Sequence, residues 1–252
     1  MLKTRVIPCL LLKGSGLVKT QRFKEPKYVG DPINAIRIFN DKEVDELLLL
    51  DITASREGKG PAFDTIRDIA SECFMPVAYG GGIRSMDDIR RILKAGIEKV
   101  VLNTAAIDNP QLVRQAADEF GSQAVVVSID ARRKLLGRYE VVARGATQGT
   151  GLHPVEQAQK MEQCGAGEIF LTAVDRDGTM EGYDLELLQR VASKVHVPVI
   201  AAGGAGKVQD FGDAVRHGAS AVSAGAMFVF HGPHRAVLIT YPGRAELEKA
   251  LA

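Results

Sequence analysis

Pro76-Val77-Ala78-Tyr79-Gly80-Gly81-Gly82 and Pro198-Val199-Ile200-Ala201-Ala202-Gly203-Gly204 stand 122 residues apart and share a Pro-Val start, an apolar run and a Gly-Gly close. At the same offset Glu46 matches Glu168, Asp88 matches Asp210, Gly96 matches Gly218 and Val100 matches Val222. A unit of strand, Gly-Gly turn, helix and strand therefore occurs once in each half. Two like halves, each able to hold a phosphate, point to a ligand with a phosphate at either end.

Outward from these anchors, short β-branched or Leu-rich runs recur every ~20–40 residues between amphipathic segments, as repeated βα units on a parallel sheet require. Eight strands are predicted, over residues 5–11, 46–51, 76–80, 99–103, 124–130, 168–172, 198–202 and 221–225. Helices are predicted over 31–41, 61–72, 85–95, 109–120, 154–163, 184–193, 208–217 and 233–252. Ser85 with Asp88 reads as a cap with an acid three residues on, Asn109-Pro110 as a cap followed by proline, and Gly96, Gly165 and Gly218 as helix closures. The fold class is α/β, a single (β/α)8 TIM barrel over 1–252 built from two similar half-barrels, about 1–120 and 121–252; 252 residues is the usual size for one.

A net charge of +1 without long like-charge blocks argues against a nucleic-acid footprint or a membrane-surface patch. No apolar run approaches ~20 residues and the start, Met1 to Arg5, has no signal-peptide core, so the expected location is the cytoplasm. Cys9, Cys73 and Cys164 lie far apart without a CxxC and read as buried or free thiols. The five histidines show no metal-ligand spacing with Cys or carboxylates, and no dinucleotide or Walker pattern is present; neither metal nor cofactor is expected.

Two connections are too long for simple turns. Residues 12–30 and 131–152 follow the first and fifth strands, which puts both on the face where strand C-termini emerge. Both are basic, the first carrying Lys13, Lys19, Arg22, Lys24 and Lys27 and the second Arg132, Arg133, Lys134, Arg138 and Arg144. They are either solvated loops or anion-recognition elements. Gly81-Gly82 and Gly203-Gly204 each precede a helix, where backbone N–H groups attract an anion; Asn103-Thr104 and Gly225-Ala226 would complete the two cups. Tight βα turns are the plainer reading of the same glycines. Asp51, Asp130, Asp175 and Asp177 are the carboxylates near strand ends. Asp130 closes the apolar run Ala124-Val125-Val126-Val127-Ser128-Ile129 and should project into the barrel mouth, as an acid or base or as an organiser of the next loop. Asp177-Gly178 joins Lys19 and the glycines as candidate substrate contacts, or forms a loop with Asp175.

VIPCL at 6–10, DELLLLDITAS at 45–55, GGGIRS at 80–85, GSQAVVVSIDA at 121–131, GAGEIFLTAVDRDGT at 165–179 and AAGGAGK at 201–207 together resemble the cyclase subunit of imidazole glycerol phosphate synthase over nearly the whole chain. The resemblance implies a barrel that takes ammonia from a glutaminase docked on its N-terminal face and adds it to a bisphosphorylated ribulosyl intermediate of histidine biosynthesis. It implies a general acid and base at the ends of strands one and five. Asp130 matches the second, but Leu11 stands at the first. It implies an ammonia gate of alternating charge at Arg5, Glu46, Lys99 and Glu168, with a structural plug of the barrel floor as the competing reading.

Residues 9–40 and the ending FVFHGPHRAVLITYP at 228–242 resemble a cyclase-like branch associated with acetamidino modification of surface sugars. That likeness implies ammonia delivery to an activated N-acetyl group, with a sugar-modifying ligase as a possible further partner. Three readings stand: a synthase subunit with a changed phosphorylated acceptor, the ordinary histidine cyclase, and a catalytically silent conduit and docking scaffold.

Overall fold

Alternation along the strands builds this molecule. The computed structural model describes residues 4–251. Met1 to Lys3, part of the start inspected for a leader, and Ala252, the expected end of the last helix, lie outside the described residues. Eight strands close on themselves: β1 (Arg5–Lys13), β4 (Leu47–Asp51), β5 (Val77–Gly80), β6 (Lys99–Leu102), β7 (Val125–Arg133), β10 (Glu168–Ala173), β11 (Val199–Ala202) and β12 (Ala221–Ala224). Each is parallel to both neighbours, and β12 returns to β1. The strands are buried on both faces, which explains their near-continuous apolar runs.

Because side chains alternate, one set of residues fills the barrel and the other meets the helices. Ile7, Leu48, Ala78, Val101, Val126, Phe170, Ile200 and Ala221 pack inside. Their neighbours, such as Val6, Leu47, Val100, Val127 and Ile169, join Ile36, Phe39, Ile66, Ile89, Val113 and Phe211 in the outer core. The inner set sorts by height. One step of two below it come Arg5, Glu46, Lys99 and Glu168 at the floor; one or two steps above come Leu11, Asn103, Asp130 and Thr172 at the mouth.

Helices α1 (Pro32–Asp41), α2 (Phe63–Glu72), α3 (Met86–Lys94), α5 (Pro110–Phe120), α6 (Pro154–Gln163), α7 (Leu185–Ala192) and α8 (Gln209–Arg216) lie where the sequence predicts them. The α3 start is a full capping box, Ser85 accepting from the Asp88 amide while Asp88 accepts from the Ser85 amide. Asn109 makes no side-chain cap on α5; its backbone instead ends a short helix, α4 (Thr104–Asp108), which the sequence reading missed. A second missed turn, α9 (Ala226–Val229), follows β12. Gly96, Gly165 and Gly218 take positive φ at helix ends as expected.

Two expectations are corrected. The long connections are not open loops. β2 (Gly16–Gln21) turns back on β1 and pairs with β3 (Lys24–Gly30), while β8 (Tyr139–Ala143) turns back on β7 and pairs with β9 (Gln148–Gly149). Residues 17–20 of β2 are buried, so its alternating Leu17, Val18, Lys19 and Thr20 serve as wall rather than surface. The helix expected over 233–252 is reduced to α10 (Arg244–Leu251). Before it comes a hairpin of β13 (Phe230–His231) and β14 (Ala236–Val237), because Gly232-Pro233 breaks the chain into a turn. The segment after the hairpin is held at Tyr241, whose hydroxyl donates to the Val6 carbonyl at 3.0 Å and whose ring packs on Phe228. Tyr241→Phe keeps the packing and loses that bond; urea unfolding should lose about 1 kcal/mol with an unchanged far-ultraviolet spectrum.

Candidate active site

A cavity of about 160 Å³ opens at the C-terminal mouth of the barrel. Of the residues singled out from sequence, Leu11, Lys19, Asp51, Gly81, Gly82, Asn103, Thr104, Asp130, Asp177, Gly203 and Gly225 line it. Gly178, Gly204 and Ala226 do not line it. Gly178 sits against the hairpin, where a Cβ would fall 2.2 Å from the Thr20 carbonyl oxygen. Gly204 packs as closely on Gly182, and its φ of +118° suits glycine alone.

Asp130 is buried, with Oδ2 accepting from Asn103 Nδ2 at 3.1 Å and Oδ1 facing the Ser128 hydroxyl at 3.4 Å. Burial pushes its carboxyl up to about 7, against hydrogen bonds from Ser128, Thr172 and Asn103 and with help from the nearby Asp177 charge. A group divided between its two forms near neutral pH is suited to pass protons in both directions.

Leu11 occupies the same station in the other half. It pairs with Leu50 on β4, and Asp130 pairs with Thr172 on β10; Leu50 and Thr172 are themselves 122 residues apart, the offset of the repeat. The cavity therefore carries an acid on one side and an isobutyl group on the other.

Lys19 is not on a solvated loop. It is 6 % exposed, its ammonium donating to Asp177 Oδ1 at 2.9 Å, while the Thr20 hydroxyl donates to Oδ2 at 3.2 Å. Its stem lies against Gly225, where a Cβ would come 3.1 Å from Lys19 Cε. Cys9 is beside it, and burial pushes that thiol up to about 12 despite the lysine. Asp51 is occupied in its own turn, Oδ1 accepting from the Thr53 amide, the Thr53 hydroxyl and the Ala54 amide. Asp175 accepts from the Arg133 amide at 2.7 Å and serves the loop.

Several residues in the cavity wall escaped the sequence reading: Ser55, whose hydroxyl accepts from the Gly82 amide at 3.3 Å, and Arg56, Phe23, Ser128 and Thr172. Phe23 packs on Val142, Ala146 and Val174, so the two antiparallel extensions meet over the mouth. The C-terminal hairpin joins them. Arg235 donates to the Gly178 carbonyl at 2.7 Å and stacks with Lys27 on Phe230.

At the opposite end the four floor charges form one ring. Arg5 bonds Glu46 and reaches Glu168 at 2.9 Å; Lys99 reaches both Glu46 oxygens at 3.0 Å and Glu168 at 3.2 Å. Although burial opposes its charge, Glu168 and Glu46 together raise the Arg5 guanidinium pKa. Among the described residues no group of three or more His, Cys, Asp or Glu is arranged to hold a metal, and no helix is long and apolar enough to cross a membrane.

Residues 5–234 match the profile of a family described as histidine biosynthesis protein. The chain belongs to that family. It is 55 % identical over 249 residues to a Pseudomonas aeruginosa protein provisionally named imidazole glycerol phosphate synthase subunit hisF2, covering 98 % of this chain and 99 % of that one. A Leptospira interrogans protein provisionally named subunit HisF is 49 % identical, with 98 % of each covered. Imidazole glycerol phosphate synthase subunit HisF of Caulobacter vibrioides is 50 % identical over 232 residues, 91 % of this chain and 89 % of its own.

The folded Asp130 pKa lies above its unfolded value, so the folded state binds the extra proton; stability from this group is full below about pH 4 and is lost as pH rises through about 7. Asp130→Asn should exceed the parent in stability at pH 8 by roughly 2–4 kcal/mol, a gap that denaturant titrations should see close towards pH 4. Glu46, the most buried of the ring, serves both cations, and Glu46→Gln should cost about 3 kcal/mol, more than Glu168→Gln in the same assay.

Proposed function

We propose that this chain is the synthase half of an ammonia-transferring assembly. A glutaminase partner on the N-terminal face releases ammonia at the charged ring, and a phosphorylated acceptor, held between the two glycine cups, receives it at the mouth. The apolar interior between ring and cavity favours neutral ammonia over ammonium, since an unpaired ion there would lose its hydration without compensation. As nitrogen bonds to the acceptor's electrophilic carbon, Asp130 takes the proton that nitrogen sheds and returns it to the departing group.

The observation that carries the choice of acceptor is Leu11 at the register of Asp130. In the family as the resemblance describes it, two carboxylates share the acid and base work; here one half has none. Removing a general acid or base typically costs ~10²–10⁴-fold in rate, so this reading assigns the chain an acceptor that needs only one. Amidination of an activated N-acetyl group on a bacterial surface-sugar precursor fits that need, with a separate ligase supplying activation. In its support, the two segments that resemble the sugar-modifying branch, 9–40 and 228–242, meet where the Lys27 ammonium stands over the Phe230 ring at 5.3 Å.

The ordinary histidine cyclase is the second reading, favoured by 50 % identity to subunit HisF of Caulobacter vibrioides. Ammonium-driven turnover of the bisphosphorylated ribulosyl intermediate separates the two without any partner. The parent chain should be at least ~10²-fold slower than Leu11→Asp, and Asp130→Asn in the Leu11→Asp background should abolish the gain. Parent turnover that Leu11→Asp fails to raise would return the chain to histidine biosynthesis.

A further inference from the structure

Five charged residues line the cavity: Lys19, Asp51, Arg56, Asp130 and Asp177. Four have work already. Lys19 and Asp177 neutralise one another, Asp51 organises its turn, and Asp130 is held by Asn103 and Ser128. Arg56 is exposed and has no carboxylate within 4 Å among the described residues. A wall with three carboxylates and one uncommitted cation is a poor host for a phosphate unless that cation faces it.

The surroundings of Arg56 aim it at one cup. Its chain neighbour Ser55 accepts the Gly82 amide at 3.3 Å, so its backbone is pinned beside the Gly81-Gly82 turn. Its stem rests on Gly145, where a Cβ would stand 3.3 Å from Arg56 Cδ and 3.9 Å from Cγ. Gly145 follows Arg144, whose amide donates to the Thr104 hydroxyl at 3.2 Å. Both sides of the cradle that holds Arg56 are thus tied to the cup of Gly81, Gly82, Asn103 and Thr104. Helix α4 behind this cup has five residues, too few for a strong dipole, and the α3 N-terminus is already capped by Ser85 and Asp88 with acids in its first turn, which leaves the side chain as the main source of positive charge.

We propose that Arg56 is a binding residue for a phosphate monoester at this cup, its guanidinium fork meeting the phosphate oxygens that project from the backbone amides. The proposal rests on the reading of the cavity as a phosphorylated-acceptor site and adds the residue that sets its affinity. At the other cup the stem of Lys19 covers Gly225, and Arg176, which packs on Gly204, donates to the Glu181 carbonyl at 3.2 Å.

Inorganic phosphate titrated into the full chain at pH 7.5, with the backbone amides of Gly82 and Gly203 followed separately by NMR, tests this. Arg56→Ala should weaken phosphate at Gly82 by about tenfold or more and leave Gly203 unchanged, and Arg56→Lys should recover part of the loss. Equal affinity at Gly82 in parent and Arg56→Ala overturns the role of Arg56 while the cup stands. Absence of any phosphate-dependent shift at Gly82 in the parent overturns both the role and the cup.

Discussion

A charged side chain pointing into a closed barrel must find its counter-ion inside the same barrel. Here four such residues are called on at once, and Glu46, 4 % exposed at its side chain, answers for two of them. Taking an ion out of water costs several kcal/mol after relaxation, so the ring is tolerable only as a closed circuit of alternating sign. It also sets heights. With the ring at the bottom, strand alternation carries each inward column up through one or two apolar residues to the groups that line the cavity. Arg5, Ile7, Cys9 and Leu11 form one such column; Glu168, Phe170 and Thr172 form another.

Much of this was legible in the residues. The 122-residue repeat, the Gly-Gly closures and the strand starts gave the barrel, because parallel strands buried on both sides and tight βα turns leave strong composition signals. The four floor charges stand at or beside the starts of their strands, where their types and spacing are readable, and they meet as ion pairs. What escaped were features that depend on partners far along the chain. Lys19 looks like a surface lysine in a basic stretch; only the fold brings Asp177 to it, 158 residues away. The antiparallel extensions were hidden because their residues mix charge with β-branched side chains and one face meets solvent. The last helix starts late for a local reason, since the chain around Gly232-Pro233 turns a hairpin and Pro242-Gly243 interrupts any helical run before Arg244.

Leu11 and Asp130 show how a repeat can carry an unequal site. The backbone registers of the two halves agree, so the difference lies in side-chain chemistry alone. The cavity presents a carboxyl on one wall and an isobutyl group on the opposite one, an asymmetry obtained without any change in fold.

The closure between β12 and β1 has a consequence for how the chain reaches this state. The Ser223 hydroxyl donates to the Ile7 carbonyl across 216 positions, and Tyr241 reaches Val6 across 235. Contacts of such long range delay folding, because the chain between them must be ordered before they form. During synthesis the first strand therefore keeps one hydrogen-bonding edge bare until nearly the whole chain has emerged, and that edge is the stretch a nascent barrel of this kind most needs to have shielded.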